Sequence, residues 1–201
     1  GPGGALKFFK PPTPGAENGG GFDGVVADTQ FSVPRGFYAS TQNIAITTAT
    51  SGATIRYTTN GTEPTLGNGT TYSAPIAIST TTILRAAAFK TNYVPTNVDT
   101  QTYIFLSAVA AGLQPSVAAA DLPNLAPGLA DLPSISIVTP NPAAFNQDVE
   151  TPVSVELLNP GSTAGFQANC ATVYFGGAYT EFAKKNFRLY FRGEYGTPKL
   201  E

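Results

Sequence analysis

The side chains on which chemistry could rest in this chain are few, because it has no His and a single Cys, Cys170. Ser-His-Asp and Cys-His catalysis and Cys/His metal sites are therefore excluded within it, and an internal disulfide is impossible. Cys170 reads first as a small buried apolar residue and second as one half of an intermolecular disulfide. A glycosidase needs two carboxylates across one cleft, about 5 Å or 6.5–9.5 Å apart. The acids here are sparse, and none of their spacings demands such a pair. Asp148 and Glu150, two apart, share a face if extended; they read as a solvated loop, with a Ca²⁺ site built from Asp148, Glu150 or Asp28 and backbone carbonyls as the alternative. The run Gly19-Gly20-Gly21 lacks the Lys-Ser/Thr and helix of a phosphate loop. No catalytic residue, cofactor or metal is expected.

The remaining groups with binding chemistry are tyrosines near turns: Tyr38, Tyr93, Tyr179 and Tyr195. A tyrosine offers an apolar face and a polar tip at small entropic cost, which suits sugars and protein partners alike. The chain has no Trp, the usual sugar platform. Asn60-Gly61-Thr62 and Asn68-Gly69-Thr70 match the N-glycosylation pattern, but a turn explains both.

Which elements would hold these residues follows from periodicity. Residues 28–106 alternate as strands do: Ile44 and Ile46 share a face, Ile55 and Tyr57 point inward with Arg56 outward, and further strands are expected near Tyr72, at 76–78, 82–90 and 100–106. Asn60-Gly61 after the second of these suits a type I′ turn, whose two central residues need positive φ. About seven short strands with regular turn signals indicate an all-β fold, an immunoglobulin-like β-sandwich. Residues 1–27, rich in Gly and Pro, read as an arm or linker. Residues 107–133 read as an Ala/Pro-rich linker with one possible short helix, because Pro115, Pro123, Pro127 and Pro133 interrupt it. Residues 134–201 return to strands at 135–138, 153–158, 171–175 and 187–192 without a closing element, a partial second β-rich region. Phe187, Leu189 and Phe191 share one face of the last strand.

Composition limits the partners. The formal net charge is −2 over 201 residues, with 11 Lys and Arg against 13 Asp and Glu, so no electrostatic footprint for nucleic acid appears. The most apolar stretch, 107–120, is too short and broken to insert in a membrane. With no Met in the chain, residue 1 does not read as a native start, and both ends are kept out of fold reasoning.

The stretch Gly52-Ala-Thr-Ile-Arg-Tyr-Thr-Thr-Asn-Gly-Thr-Glu-Pro-Thr65, with Tyr72–Ile78, Thr81–Lys90 and Gln101–Ile104, resembles the chitobiase/β-hexosaminidase C-terminal type domain, an immunoglobulin-like or fibronectin-III-like accessory module of bacterial secreted proteins. The family's usual Asp-Gly turn is Asn60-Gly61 here. The resemblance implies no catalysis, since the module does not carry the glycosidase chemistry it is named after. Leu132–Val138, Pro152–Leu157 and Lys185–Gly196 resemble the opening of spore-coat CotH-kinase-like proteins, and Phe8–Asn18 resembles the end of a lamin-tail-like domain. Where CotH-like regions have Arg-x-His/Arg-Gly-Gly, this chain reads Val173-Tyr-Phe-Gly-Gly177, and their later metal and phosphate-transfer acids are not in it. Lys184 and Lys185, which would contact nucleotide in an intact relative, read as solvated lysines.

These readings converge on a structural spacer module of a secreted or cell-surface bacterial multidomain protein, whose partners are neighbouring domains or copies of itself. The alternatives are a subunit of an extracellular assembly joined by strand or arm exchange, a carbohydrate-binding module using the tyrosines on polysaccharide, and the amino-terminal part of a CotH-like kinase.

Overall fold

The computed structural model describes residues 7–10, 14–15, 19–113, 117–146, 148–159, 165–176 and 186–196, and it is all-β with two short helices. Chain order runs β1 (Gly24–Val25), β2 (Thr29–Phe31), β3 (Gly36–Tyr38), β4 (Gln42–Ile44), β5 (Ile46–Thr48), β6 (Thr54–Thr58), β7 (Thr70–Thr71), β8 (Ile76–Ile78), β9 (Thr82–Phe89), β10 (Tyr93–Val94) and β11 (Asp99–Phe105). Helices α1 (Leu106–Leu113) and α2 (Leu122–Asp131) follow, then β12 (Ser134–Val138), β13 (Thr151–Leu158), β14 (Phe166–Phe175) and β15 (Asn186–Tyr190).

The immunoglobulin-like part packs the five-stranded sheet β3-β11-β9-β6-β7 against the strand pairs β2-β5 and β4-β8. Period-2 alternation decides what lies between them. Leu84, Ala86 and Ala88 of β9, Ile55 and Tyr57 of β6, and Tyr103 and Phe105 of β11 meet Ile44, Ile46 and Ile78 from the facing strands. Ile44 and Ile46 enter the same core although the strand changes partner between them: β4 pairs β8, β5 pairs β2, and Ala45 exchanges hydrogen bonds with Ser32 at the switch. The sequence reading starts this sandwich at residue 28, whereas the first ladder begins earlier, with β1 parallel to β10 and a bridge from Phe8 to Phe22 ahead of it.

The other face of the five-stranded sheet is also covered. Arg85, Ala87, Thr100 and Thr102 alternate with the core residues, and all four are buried. What covers Thr102 is the second sheet, β12-β13-β14-β15, fully antiparallel, whose strand β13 lies over β11. β13 is thereby buried on both faces: Val153 and Val155 enter a second core with Ala168, Cys170, Leu189 and Phe191, while Ser154, Glu156 and Leu158 are buried on the opposite phase. β14 runs five residues further toward the N-terminus than its apolar pattern signals, because Phe166-Gln167-Ala168-Asn169 alternate polar and apolar and pair with Ser154–Leu157.

Two expectations need correction. The type I′ turn at Asn60-Gly61 does not form: Gly61 has φ +80°, but Asn60 is not left-handed. Its carboxamide oxygen instead accepts from the Thr62 N–H (3.2 Å) and hydroxyl (2.7 Å), a local turn that competes with the hairpin, and the chain returns only at β7. Residues 107–133 hold two helices rather than one at most. α1 is uninterrupted and Ala-rich. α2 places Pro123 in its first turn, where the missing N–H costs nothing, and gives up one internal bond at Pro127.

Gly69 closes the long β6–β7 loop with φ +92°, and a Cβ there would stand 2.5 Å from the Tyr57 carbonyl oxygen. Gly69→Ala is expected to cost about 2 kcal/mol, from left-handed strain and backbone displacement together, read as a lower midpoint in urea unfolding.

Candidate functional site

Three places gather polar chemistry. The first is the junction of the two sheets. Glu156 of β13 is fully buried (0% exposed). Its Oε1 accepts the Thr102 backbone N–H at 3.1 Å, and its Oε2 accepts the Thr102 hydroxyl. The Thr102 hydroxyl also meets Ser136 Oγ of β12 at 2.8 Å, and Arg35 Nη1 stands 3.4 Å from Oε1. Strand β3 pairs with β11 only from Tyr103 onward, so the Thr102 N–H just outside that ladder takes the carboxylate. Burial pushes the Glu156 carboxyl above its ordinary range; the Thr102 bonds and Arg35 pull the other way and offset part of that. One carboxylate thus ties three elements together: β13, β11 and the segment leading into β3.

The second place is a cleft of about 480 Å³ over the far end of the same outer sheet face, lined by Thr54, Arg56, Leu66, Phe89, Lys90, Asn92, Tyr93 and neighbours. The turn from β9 to β10 builds one wall. Tyr93 N–H donates to Lys90 O at 3.0 Å, and Asn92 takes φ +61°, the one left-handed non-glycine among the described residues. The Tyr93 ring rests against the Gly24 backbone and carries the Lys90 ammonium 4.4 Å from its centroid. On the floor, Arg56 donates to the Gly69 carbonyl (2.6 Å) and the Thr71 hydroxyl (2.9 Å).

The third is a wider cleft, about 750 Å³, between the sandwich and the second sheet, bounded by Glu63, Arg85, Asn97, Thr139, Ser154, Cys170, Glu194 and Tyr195 among others. Arg85 donates to the Gly61 carbonyl at 3.0 Å. Cys170 is 1% exposed, and burial pushes its thiol up to about 11. A thiol reagent is therefore expected to leave Cys170 unmodified in the native protein at pH 8 and to label it on unfolding, checked by mass spectrometry over a urea series.

The four tyrosines singled out in sequence do not form one site. Tyr38 packs its ring on Tyr103 (5.7 Å between centroids) and Phe105 and donates its hydroxyl to Pro34 O, so its faces serve the core. Tyr93 belongs to the second place and Tyr195 to the third, and Tyr179 lies outside the described residues, as do Lys184 and Lys185. Of the acids weighed for Ca²⁺, Glu150 pairs with Arg192 at 2.7 Å, and Asp148 is held by its backbone to the Asn146 side chain. Asn68 donates its carboxamide to Thr62 Oγ1 and Glu63 O, a loop-closing role. Glu156, Arg35, Arg56 and Lys90 were not legible as a group. The available signal was Glu156 itself, a lone charge inside the run Val153–Leu158.

Residues 33–100 match the family model for the chitobiase/beta-hexosaminidase C-terminal domain. That is a third of the chain, covering the sandwich from the entry to β3 to the start of β11. The matched module is a non-catalytic β-sandwich that occurs in extracellular enzymes. No curated protein and no solved structure gives a match. Arg56, Lys90 and Tyr93 all fall within the matched span, whereas Glu156 and the second sheet fall outside it. No helix among the described residues is long and apolar enough to cross a membrane.

Proposed function

We propose that this chain is a non-catalytic spacer of a secreted or cell-surface bacterial multidomain protein, in which the chitobiase-type sandwich holds the following sheet in a fixed orientation. The observation that carries this reading is the buried tie through Glu156. A sandwich joined by a loose linker would leave its outer sheet face wet, whereas here Thr100, Thr102 and Arg85 are buried and a carboxylate from the next sheet completes the β11 hydrogen bonding. Interfaces between domains permit relative motion unless they are extensive and dry, so a spacer needs such a tie. The resemblance of Phe8–Asn18 to a lamin-tail end and of the second sheet to a CotH-like opening supports reading the module as a connector between two such neighbours. Residual dipolar couplings test the rigidity: one alignment tensor for sandwich and second sheet is expected, and two independent tensors would overturn the spacer reading.

A second reading, assembly through strand exchange, is favoured by the edges of the second sheet. β12 and β15 each pair on one side only among the described residues, and β12 (Ser-Ile-Ser-Ile-Val) carries neither charge nor proline to guard it. Light scattering that shows only monomer at millimolar concentration would remove it.

A further inference from the structure

The geometry points to the Arg56–Lys90–Tyr93 cleft as a binding site for an acidic polysaccharide, whose carboxylate sits between the two cations. Two features make the cleft a site for an anion. Its two cations come from different elements, Arg56 from β6 on the floor and Lys90 from the β9–β10 turn that builds one wall, and no acidic side chain lines it among the described residues. Neither cation is in an ion pair among those residues, in contrast to Lys7, Arg35 and Arg192, each of which is. Arg56 is held in place by Gly69 and Thr71, and its buried Nε finds no partner among the described residues. Lys90 is held over Tyr93 by the cation–π contact, within a turn that fixes Asn92 left-handed. Two like charges retained on fixed mounts without counter-ions give the cleft a positive potential.

The rest of the lining selects a sugar over an acidic peptide. Phe89, Pro95 and the exposed Leu66 (71%) offer apolar surface to the C–H face of a pyranose, and Thr54, Thr91 and Asn92 offer neutral hydrogen-bonding groups for its hydroxyls. A peptide bound by strand addition would need a free strand edge to pair with. On the β9 side the floor is already paired, because Thr54 and Phe89 lie opposite each other in the β6–β9 ladder. The volume, about 480 Å³, lies in the range of small-ligand pockets.

The site is tested by affinity electrophoresis and calorimetry on the whole chain with polygalacturonate, with neutral dextran and polyglutamate as the other arms. Polygalacturonate is expected to bind with an affinity that falls as salt rises, dextran to give no retention, and polyglutamate to bind at least tenfold more weakly. Arg56→Gln and Lys90→Gln are each expected to weaken polygalacturonate binding about tenfold, the loss of one charged hydrogen bond. Arg188→Gln, on β15 beside Phe175, serves as the charge control and is expected to change nothing. Lys90→Gln keeps the backbone carbonyl that closes the turn and gives up only the side-chain contact with Tyr93, so this variant stays informative if Arg56→Gln melts. No binding of polygalacturonate, equal binding by Lys90→Gln and the original chain, or polyglutamate bound as tightly as the polyuronate would each overturn the assignment.

Discussion

Replacing Glu156 with Ala is expected to lower stability by about 3–5 kcal/mol, the size seen when one partner of a buried charged pair is removed. Two donors lose their acceptor at once, the Thr102 N–H and the Thr102 hydroxyl, and the Arg35 guanidinium loses its ion-pair partner. Neither Thr102 group can turn to water without opening the junction, because Glu156 is fully buried and Thr102 nearly so. The loss should be localised. Hydrogen exchange is expected to show the Thr102 amide and the β13 amides opening together, while the Leu84 and Ala86 amides in the sandwich core keep their protection. Glu156→Gln retains two acceptor-or-donor positions of similar shape and is expected to cost about 1–2 kcal/mol, since an amide group can still accept from the Thr102 N–H. Equal losses for Ala and Gln would mean that size alone is what the position requires.

The same carboxyl gives the junction a pH dependence with a defined sign. Burial holds Glu156 above its ordinary value in the folded chain, so on raising the pH the unfolded chain releases this proton first. Between the ordinary carboxyl range and the raised folded value, the unfolded state binds fewer protons, and stability falls as pH rises through that window. Below the window both states are protonated, and the contribution is fully present. Asp99 is also pushed up by burial and adds a slope of the same sign, so the measurement that isolates Glu156 is the difference between the original chain and Glu156→Gln. Melting from pH 3.5 to 8 is expected to give a flatter profile for the Gln variant; parallel profiles would place the slope elsewhere.

How much of this was legible in the sequence depends on the range of the interaction that fixes each element. The sandwich strands were, because alternation at Thr54–Thr58 and Thr82–Phe89 is written locally and both strands use it to fill one core. The Asn60-Gly61 turn was misread because its dipeptide permits a hairpin, whereas the Asn60 side chain prefers Thr62 two residues on. The helices were half-hidden, since Pro123 and Pro127 break a helix when judged by propensity but sit where one costs nothing and the other a single bond. The junction could not be read, because Glu156 and Thr102 are 54 positions apart, and the lone charge of Glu156 inside its apolar strand does not say which partner it meets. The tyrosines were picked for lying near turns, a criterion that cannot distinguish Tyr38, whose ring is spent on Tyr103 and Phe105, from Tyr93, which holds a cation over a cleft. Arg56 was read as outward, and it is outward; what a local pattern cannot show is that Lys90 lines the same cleft.

Tyr103 separates the apolar from the polar share of the sandwich core, and its two substitutions are expected to differ widely. The residue is 0% exposed, packs its ring against Tyr38, and donates its hydroxyl to the Val33 carbonyl at 2.9 Å. Tyr103→Ala removes a whole ring from a site closed on all sides by Tyr38, Leu84 and their neighbours, and a loss of about 3–5 kcal/mol is expected. Tyr103→Phe keeps the ring and leaves the Val33 carbonyl without this donor, with an expected loss of about 1–2 kcal/mol. Val33 stands at the entry to the matched family span, two residues before Arg35, so the hydroxyl also anchors the segment that brings Arg35 to Glu156. The Phe variant is therefore expected to do something a pure packing defect would not: to couple with Glu156→Gln. A double-mutant cycle by urea unfolding should give an interaction of about 0.5–1 kcal/mol, because both changes act on Arg35 from opposite ends. Strict additivity would show that the Val33–Arg35 segment is held by its own backbone bond to Gln101 and that the core and the junction are energetically separate.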